Sequence, residues 1–381
     1  MTAIGNLLHH PRRLWIRKAI FQVHLWAGLL LTVYLVVIAL TGSILVFESE
    51  LTGLALPQGV SHSLPATPVS ITQVLQNTER AYPHVDIDSL TVATRAVPAY
   101  QLALRLPNHH TVNVVADATT GAVMPAPRTW VQWVHDLHVY LLLDPRYGAQ
   151  INAVGAAVLL LLTITGLALW WNGVRNWSRG LRLNWRANWR RINYDLHSAV
   201  GFWTLLIVFW WAFSGMYFGW YREITTATNA VFPVRNMHAP VALAASGAAT
   251  RISLQAMLQA AQAASPSARL YNLSNATLTG PTVYASMDFA APGDFLHRDI
   301  VCLDAANGRV LSIWHYNEKH STGDWILWLM HPLHFGTQWG LAVKVVWAVL
   351  GLSLAVLALT GVVMYWNRWL RHRFHGLATR S

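Results

Sequence analysis

Four histidines of this chain stand where imidazole chemistry is costly. His24 and His197 each open a long apolar stretch, and His138 and His334 each stand shortly before one. An ionisable group in or beside a hydrocarbon layer is a functional candidate by default. Neutral imidazole is also a common ligand of redox metals. Gly28 and Gly201 follow the first two histidines by four residues, on the same helical face and one turn deeper. A missing side chain there leaves room for something bulky. Gly42 and Gly215 lie eighteen residues beyond His24 and His197. That is five helical turns, so they fall on the same stripe near the far end.

Two matched histidines at each end suit two bis-imidazole haem b sites. Such a site needs two axial nitrogens and an apolar, aromatic-rich pocket. It needs no Cys-x-x-Cys-His, and none is present. His24 and His197 would serve one haem, His138 and His334 the other, with Gly42 and Gly215 giving it space. His135 and His331 precede the second pair by three residues. They are either alternative ligands or polar neighbours of the haem propionates. For any one histidine alone, a bond to a backbone carbonyl is the blander alternative. Copper or zinc lacks an intramembrane carboxylate or thiolate to complete a tetrahedron. The single cysteine, Cys302, excludes a four-cysteine zinc site, a cysteine-ligated iron–sulfur cluster and an internal disulfide.

Composition says what must hold these residues. The chain has 381 residues, of which 11% are charged and 54% hydrophobic, with 20 Trp. Four windows are free of Asp, Glu, Lys and Arg: Ala19–Phe47, Ile151–Trp171, Ser198–Tyr221 and Val345–Trp366. Each reaches the roughly 20 residues that cross a hydrocarbon core as helix. The first is too long for a signal-peptide core and reads as a retained anchor. Arg12, Arg13, Arg17 and Lys18, then the arginines of the loop 172–193, then Arg368, Arg371, Arg373 and Arg380 flank the spans. The positive-inside rule puts the arm 1–18, this loop and the tail 367–381 in the cytoplasm. Topology thus accounts for the +11 formal charge without nucleic acid.

All of the 16 acidic residues except Asp195 lie in the two remaining segments, 48–150 and 222–344. Their larger parts, 48–130 and 222–322, read as outer α+β domains. His-containing segments, 131–150 and 323–344, lead from them into the second and fourth spans. A helix is expected over Ser70–Tyr82, with strands near Leu90–Thr94, Tyr100–Leu106 and Thr111–Ala116. The second half echoes the first: His24, Gly28 and Thr41-Gly42 match His197, Gly201 and Ser214-Gly215 at a constant offset of 173. His135-Asp136-Leu137-His138 matches His331-Pro332-Leu333-His334, and Thr165-Gly166 matches Thr360-Gly361. Asp117-Ala118-Thr119-Thr120-Gly121 matches Asp304-Ala305-Ala306-Asn307-Gly308. The expected architecture is span, outer domain, span, twice over.

These residues resemble the PepSY-associated transmembrane, or iron-regulated membrane, proteins of Gram-negative bacteria. The matching motifs are His24-x3-Gly28 with Thr41-Gly42, Asp136-Leu137-His138 before a span with Gly166 and Trp170-Trp171, Asp195-Leu196-His197-x3-Gly201, and Pro332-Leu333-His334-Phe335-Gly336. The resemblance covers nearly the whole chain. It implies an α-helical integral membrane protein of the inner membrane, with four transmembrane helices in two repeats and two periplasmic α+β PepSY-like domains. It implies two haem b groups and electron transfer to a ferric siderophore in the periplasm. It also favours His138 and His334 over their neighbours as ligands. Size and layout are most similar to ferrioxamine-reducing members. Trp130, Trp133, Trp325 and Trp328 could pack on such a substrate or anchor at the interface. No Gly-x-Gly-x-x-Gly or nicotinamide domain is present, so a quinol or a partner protein is the expected electron donor. A permease for the intact siderophore, with broken spans, and a haem-free PepSY regulator are the competing classes.

Overall fold

A computed structural model describes residues 15–106, 111–174, 176–235, 252–274 and 282–370. Arg12, Arg13, Arg175, Arg371, Arg373 and Arg380 lie outside the described residues, as do His9, His10, His109, His110, His238, His372 and His375. In chain order the main elements begin with helices α1 (Trp15–Leu45), α2 (Glu48–Leu54) and α3 (Ile71–Ala81). Strands β1 (Asp86–Thr91), β2 (Ala99–Arg105), β3 (Thr111–Asp117) and β4 (Val123–Pro125) follow. Then come α4 (Trp130–Tyr140), α5 (Pro145–Trp170), α6 (Trp189–Trp203), α7 (Leu205–Gly219), α8 (Tyr221–Val231) and α9 (Leu254–Ala264). Strands β5 (Arg269–Ser274), β6 (Thr282–Asp288), β7 (Arg298–Asp304) and β8 (Val310–Trp314) precede α10 (Thr322–Phe335) and α11 (Gly340–Tyr365).

The chain divides into a helical unit (1–46, 134–224, 333–381) and a sheet unit (47–133, 225–332). In the helical unit α1, α5 and α11 are each long and apolar enough to cross a membrane. Helices α6 and α7 together make a fourth candidate, bent by 65° at their junction. That bend departs from the unbroken third span expected over Ser198–Tyr221. Its site is Thr204, whose hydroxyl bonds back to the Val200 carbonyl at 2.8 Å. The same back-bond at Thr41, Thr165 and Thr360 leaves their helices unbroken, so the hydroxyl does not by itself account for the bend; Gly201 lies in the turn before it. Leu35, Ala39, Leu159, Leu162, Val208, Ala212, Leu354, Ala355 and Ala358 form the core between the helices. Asp144 caps α5, accepting from the Arg146 amide at 3.0 Å, with Pro145 in the first turn. At the other end Arg17 donates to the carbonyls of Ala168, Leu169 and Trp171. A cation there answers the unpaired C-terminal carbonyls and the helix dipole.

In the sheet unit, one antiparallel sheet of eight strands runs in the order β4-β3-β2-β1-β5-β6-β7-β8. The two segments expected as separate domains therefore share one sheet. Pairing of β1 with β5 through Leu90 and Leu273 joins them, and it satisfies two strand edges that would otherwise stay open. Helices α3 and α9 begin alike, Ser70 and Ser253 each accepting from an amide three residues on at 3.2 Å. The two Asp turns close alike, with Gly121 at φ +72° and Gly308 at φ +71°, a region that favours glycine. Strand β1 starts earlier than hydrophobic alternation suggested. Asp88 is buried within it and paired with Arg105 at 2.6 Å, which makes a carboxylate tolerable there.

Candidate functional site: two histidine pairs

The helical unit brings the four histidines together as two pairs. His24 on α1 and His197 on α6 have ring centroids 6.4 Å apart, with ring planes at 89°. His138 on α4 and His334 on α10 are also 6.4 Å apart, with planes at 64°. With metal–nitrogen bonds of ~2.0 Å and ~1.2 Å from ring nitrogen to ring centre, imidazoles on opposite sides of one metal stand ~6.4 Å apart. The centroid separation of both pairs is thus the one that two imidazoles sharing an iron would have. Among the described residues no group of three or more His, Cys, Asp or Glu converges on a metal position. A two-nitrogen site of this kind suits an iron whose other four positions a porphyrin fills.

Each ring is seated by a hydroxyl at Nδ1. Thr165 lies 3.0 Å from His24, Thr360 2.9 Å from His197, Thr41 2.9 Å from His138, and Ser214 2.7 Å from His334. The backbone of the second pair is also tied down. The His138 carbonyl accepts from Asn152 Nδ2 at 2.8 Å, and the His334 carbonyl from Trp211 Nε1 at 3.1 Å. The side chain of Asn152 in turn accepts from the Tyr34 hydroxyl at 2.7 Å. Phe218 and Phe335 lie edge-on to the His334 ring at 5.2 and 5.4 Å. These supply the aromatic surroundings that the composition suggested.

The glycines divide differently from expectation. A methyl group on Gly42 would sit 2.9 Å from His138 Cε1, so this glycine makes room for the ligand ring itself. One on Gly215 would meet Ala156, not His334. Gly166 and Gly361 face the other pair: added carbons would lie 3.3 Å from His24 Cε1 and 3.6 Å from His197 Cε1. At Gly28 and Gly201 the nearest atoms belong to Leu162 and Leu357, at 3.9 and 3.5 Å. A methyl group at either would make only ordinary contact, so neither glycine is required by close packing against the protein. The seating residues Thr165-Gly166 and Thr360-Gly361 carried a sequence signal, the Thr/Ser-Gly dipeptide that recurs in all four apolar segments. Spacing alone did not tie them to a histidine on another helix.

His135 and His331 are placed apart from these contacts. His135 is 3.4 Å from Asp136 and edge-on to Tyr140. His331 stacks on Phe295 in the sheet unit, centroids 4.3 Å apart and planes at 14°. Burial, then the charge of Arg298, pushes its pKa down to about 4. Of the four tryptophans, Trp130, Trp133 and Trp325 are exposed. Trp328 is buried, stacked on Phe295 and edge-on to Trp325. It backs an aromatic wall whose outer member is Trp325.

Candidate membrane-spanning helices, two histidine pairs and a sheet unit encoded between the spans point to a membrane protein. The profile of the PepSY-associated TM region family matches residues 21–368, and the chain belongs to that family. Comparison with curated proteins finds no match.

Proposed function

We propose that this protein is a di-haem b oxidoreductase of the bacterial inner membrane. It passes electrons to a ferric siderophore in the periplasm, a hydroxamate of the ferrioxamine kind, and so releases Fe(II). The observation that carries this reading is the recurrence of one imidazole pair, at 6.4 Å, in two places on the same bundle. Thr41, which seats His138, lies 17 residues along α1 from His24, or about 25 Å of helix. The two positions therefore lie near opposite ends of one span. Two haems bound there supply one-electron transfer across a layer that charged donors do not cross.

The chain's own residues would do the rest. His24 with His197, and His138 with His334, would hold the irons. Hydroxyls of Thr165, Thr360, Thr41 and Ser214 would fix how the four rings are turned. Exposed Trp325, backed by Trp328, and exposed Trp130 and Trp133 would offer aromatic surface to the chelate or to the membrane interface. Hard hydroxamate oxygens hold Fe(III) far better than Fe(II), so one added electron loosens the metal. That electron comes from quinol or a partner protein, since no dinucleotide-binding motif is present. Basic residues Arg17, Lys18, Arg179, Arg182, Arg186, Arg190, Arg191 and Arg368 flank the span ends near His24 and His197, which supports a cytoplasmic location for that end and for both termini. The repeated motifs and the two equivalent four-strand halves of the sheet support a duplicated four-span architecture.

The bend at Thr204 is the one feature on the side of a permease. Its backbone is satisfied internally, the Thr204 amide donating to Val200 at 3.0 Å and the Val208 amide to Thr204 at 2.9 Å. A bend with these amides paired within the helix does not itself call for a carrier, and the paired histidines favour the redox reading. The test is the absorption spectrum of the purified full chain, with haem stoichiometry. Two b-type centres per chain are expected. Replacing His24 or His197 should remove one centre, and replacing His138 or His334 the other. A colourless, fully folded preparation from haem-replete cells overturns the reading. Anaerobic mixing of the reduced protein with ferric hydroxamates then tests the substrate through haem reoxidation.

A further inference from the structure

Each of the four seating hydroxyls has already given its hydrogen away. Thr165 donates to the Leu161 carbonyl at 2.7 Å, Thr41 to Val37 at 2.7 Å, Thr360 to Val356 at 2.6 Å, and Ser214 to Trp210 at 2.7 Å. A hydroxyl has one hydrogen and two lone pairs. Its contact with the histidine must then be one in which the ring Nδ1–H donates and the oxygen accepts. We infer that Thr165, Thr360, Thr41 and Ser214 are positioning residues. They lock His24, His197, His138 and His334 in the Nδ1–H tautomer, so that Nε2 alone is left as a ligand. This rests on the haem reading for its consequence, though not for its geometry.

Two further observations support the lock. The glycine after three of the hydroxyls, Gly166, Gly361 and Gly42, faces Cε1 of the ring that its neighbour holds. Cε1 lies between the two ring nitrogens, so hydroxyl and glycine together fix how the ring is turned. The pattern of connections is also consistent. Thr165 on α5 seats His24 on α1, and Thr41 on α1 seats His138 on α4. Thr360 on α11 seats His197 on α6, and Ser214 on α7 seats His334 on α10. Every seat closes within one half of the chain, and every histidine pair joins the two halves. The halves therefore orient their ligands independently of any iron.

The kind of acceptor matters as well. Accepting a hydrogen bond from the far ring nitrogen makes a ligated imidazole more basic and favours Fe(III). A neutral hydroxyl does this more weakly than a carboxylate. The four seats therefore hold the ligands firmly and leave Fe(II) accessible, as an electron carrier requires.

The test uses the full chain in lipid nanodiscs. Thr165→Val, Thr360→Val, Thr41→Val and Ser214→Ala are compared with the conservative Thr165→Ser, Thr360→Ser, Thr41→Ser and Ser214→Thr. Redox titration should show an upward shift of one midpoint potential in each hydroxyl-less variant. The centre of His24 and His197 shifts for positions 165 and 360, and that of His138 and His334 for positions 41 and 214. The conservative variants should keep the wild-type potentials. Where a hydroxyl-less variant does not fold, 15N NMR of ring-labelled wild-type protein decides, with or without haem, and should find four Nδ1–H tautomers. Unchanged potentials in folded hydroxyl-less variants overturn the inference. So does an Nε2–H tautomer at any of the four histidines. Wild-type protein that binds no haem but shows the four Nδ1–H tautomers would sink the proposed function while upholding the lock.

Discussion

Gly42→Ala separates the folding and ligation roles of one residue. Within helix α1 the added methyl should favour folding by about 1 kcal/mol, because glycine is a poor helix former. The same methyl would stand 2.9 Å from His138 Cε1. Carbon atoms pack at about 3.5–4.0 Å, so the ring must retreat by roughly 0.6–1 Å. Ligand distances in a metal site are held to within about 0.2 Å. The displacement is several times that tolerance, and the ring's hydroxyl seat is the adjacent residue, Thr41. An overpacking cost of about 1–3 kcal/mol opposes the helix gain, so the variant should still fold with stability little changed or modestly lower, yet lose six-coordinate ligation at the His138–His334 centre. The His24–His197 centre should be untouched. Haem content, reduced-minus-oxidised difference spectra and the ferric EPR signal together read this out: one low-spin species disappears or turns high-spin, and the other persists. Gly215→Ala is the natural control, since its methyl would meet Ala156 at 3.1 Å instead of a ligand ring. Two intact low-spin centres at unchanged potentials in Gly42→Ala would refute the reasoning.

Other expectations concern both units. In the EPR spectrum the His24–His197 centre should be the more anisotropic, because its rings are at 89° against 64° for the other pair, and perpendicular π-donors leave two iron d orbitals nearly equal in energy. Cys302, buried with its thiol pushed up to about 11 by desolvation, should resist maleimide in the native protein and react fully once denatured. His331, held at about 4 in the folded state against 6.5 in the unfolded, binds its proton later than the unfolded chain as pH falls. The sheet unit should thus lose up to about 3 kcal/mol between pH 6.5 and 4, seen as faster limited proteolysis, and His331→Phe should flatten that dependence. Asp88→Ala leaves half-buried Arg105 without this partner and should cost about 1–2 kcal/mol, less than for a fully buried pair, measured as lost hydrogen-exchange protection in β1 and β2.

The features legible in the sequence were those with a local or periodic cause. Hydropathy windows located the spans, because crossing a bilayer demands an unbroken apolar run. The capping serines Ser70 and Ser253 and the two Asp turns marked their elements within a residue or so. Pairing of the histidines followed from the repeat, which places equivalent residues at equivalent depths. The bend at Thr204 was hidden because no proline marks it, and the glycine one turn earlier, Gly201, has its counterpart Gly28 inside an unbroken helix. Asp88 hid the start of β1, since only its partner on another strand makes a buried carboxylate acceptable. Gly215 looked equivalent to Gly42 by register but meets a different neighbour, as repeats that match in sequence still diverge in packing. The seats at Thr165 and Thr360 depend on contacts 141 and 163 residues apart in the chain, for which the sequence holds no spacing rule.

The joint between β1 and β5 sets a timetable for biosynthesis. Ser89 pairs with Ser274, so the inner edge of the first four strands has no partner until 185 further residues have been made. At 5–20 residues per second, that edge waits roughly 10–40 s for its partner. During this interval it is a bare strand, open to pairing with any extended chain nearby. A nascent first half should therefore be a client of holding chaperones, and a stalled or truncated product should be cleared instead of accumulating.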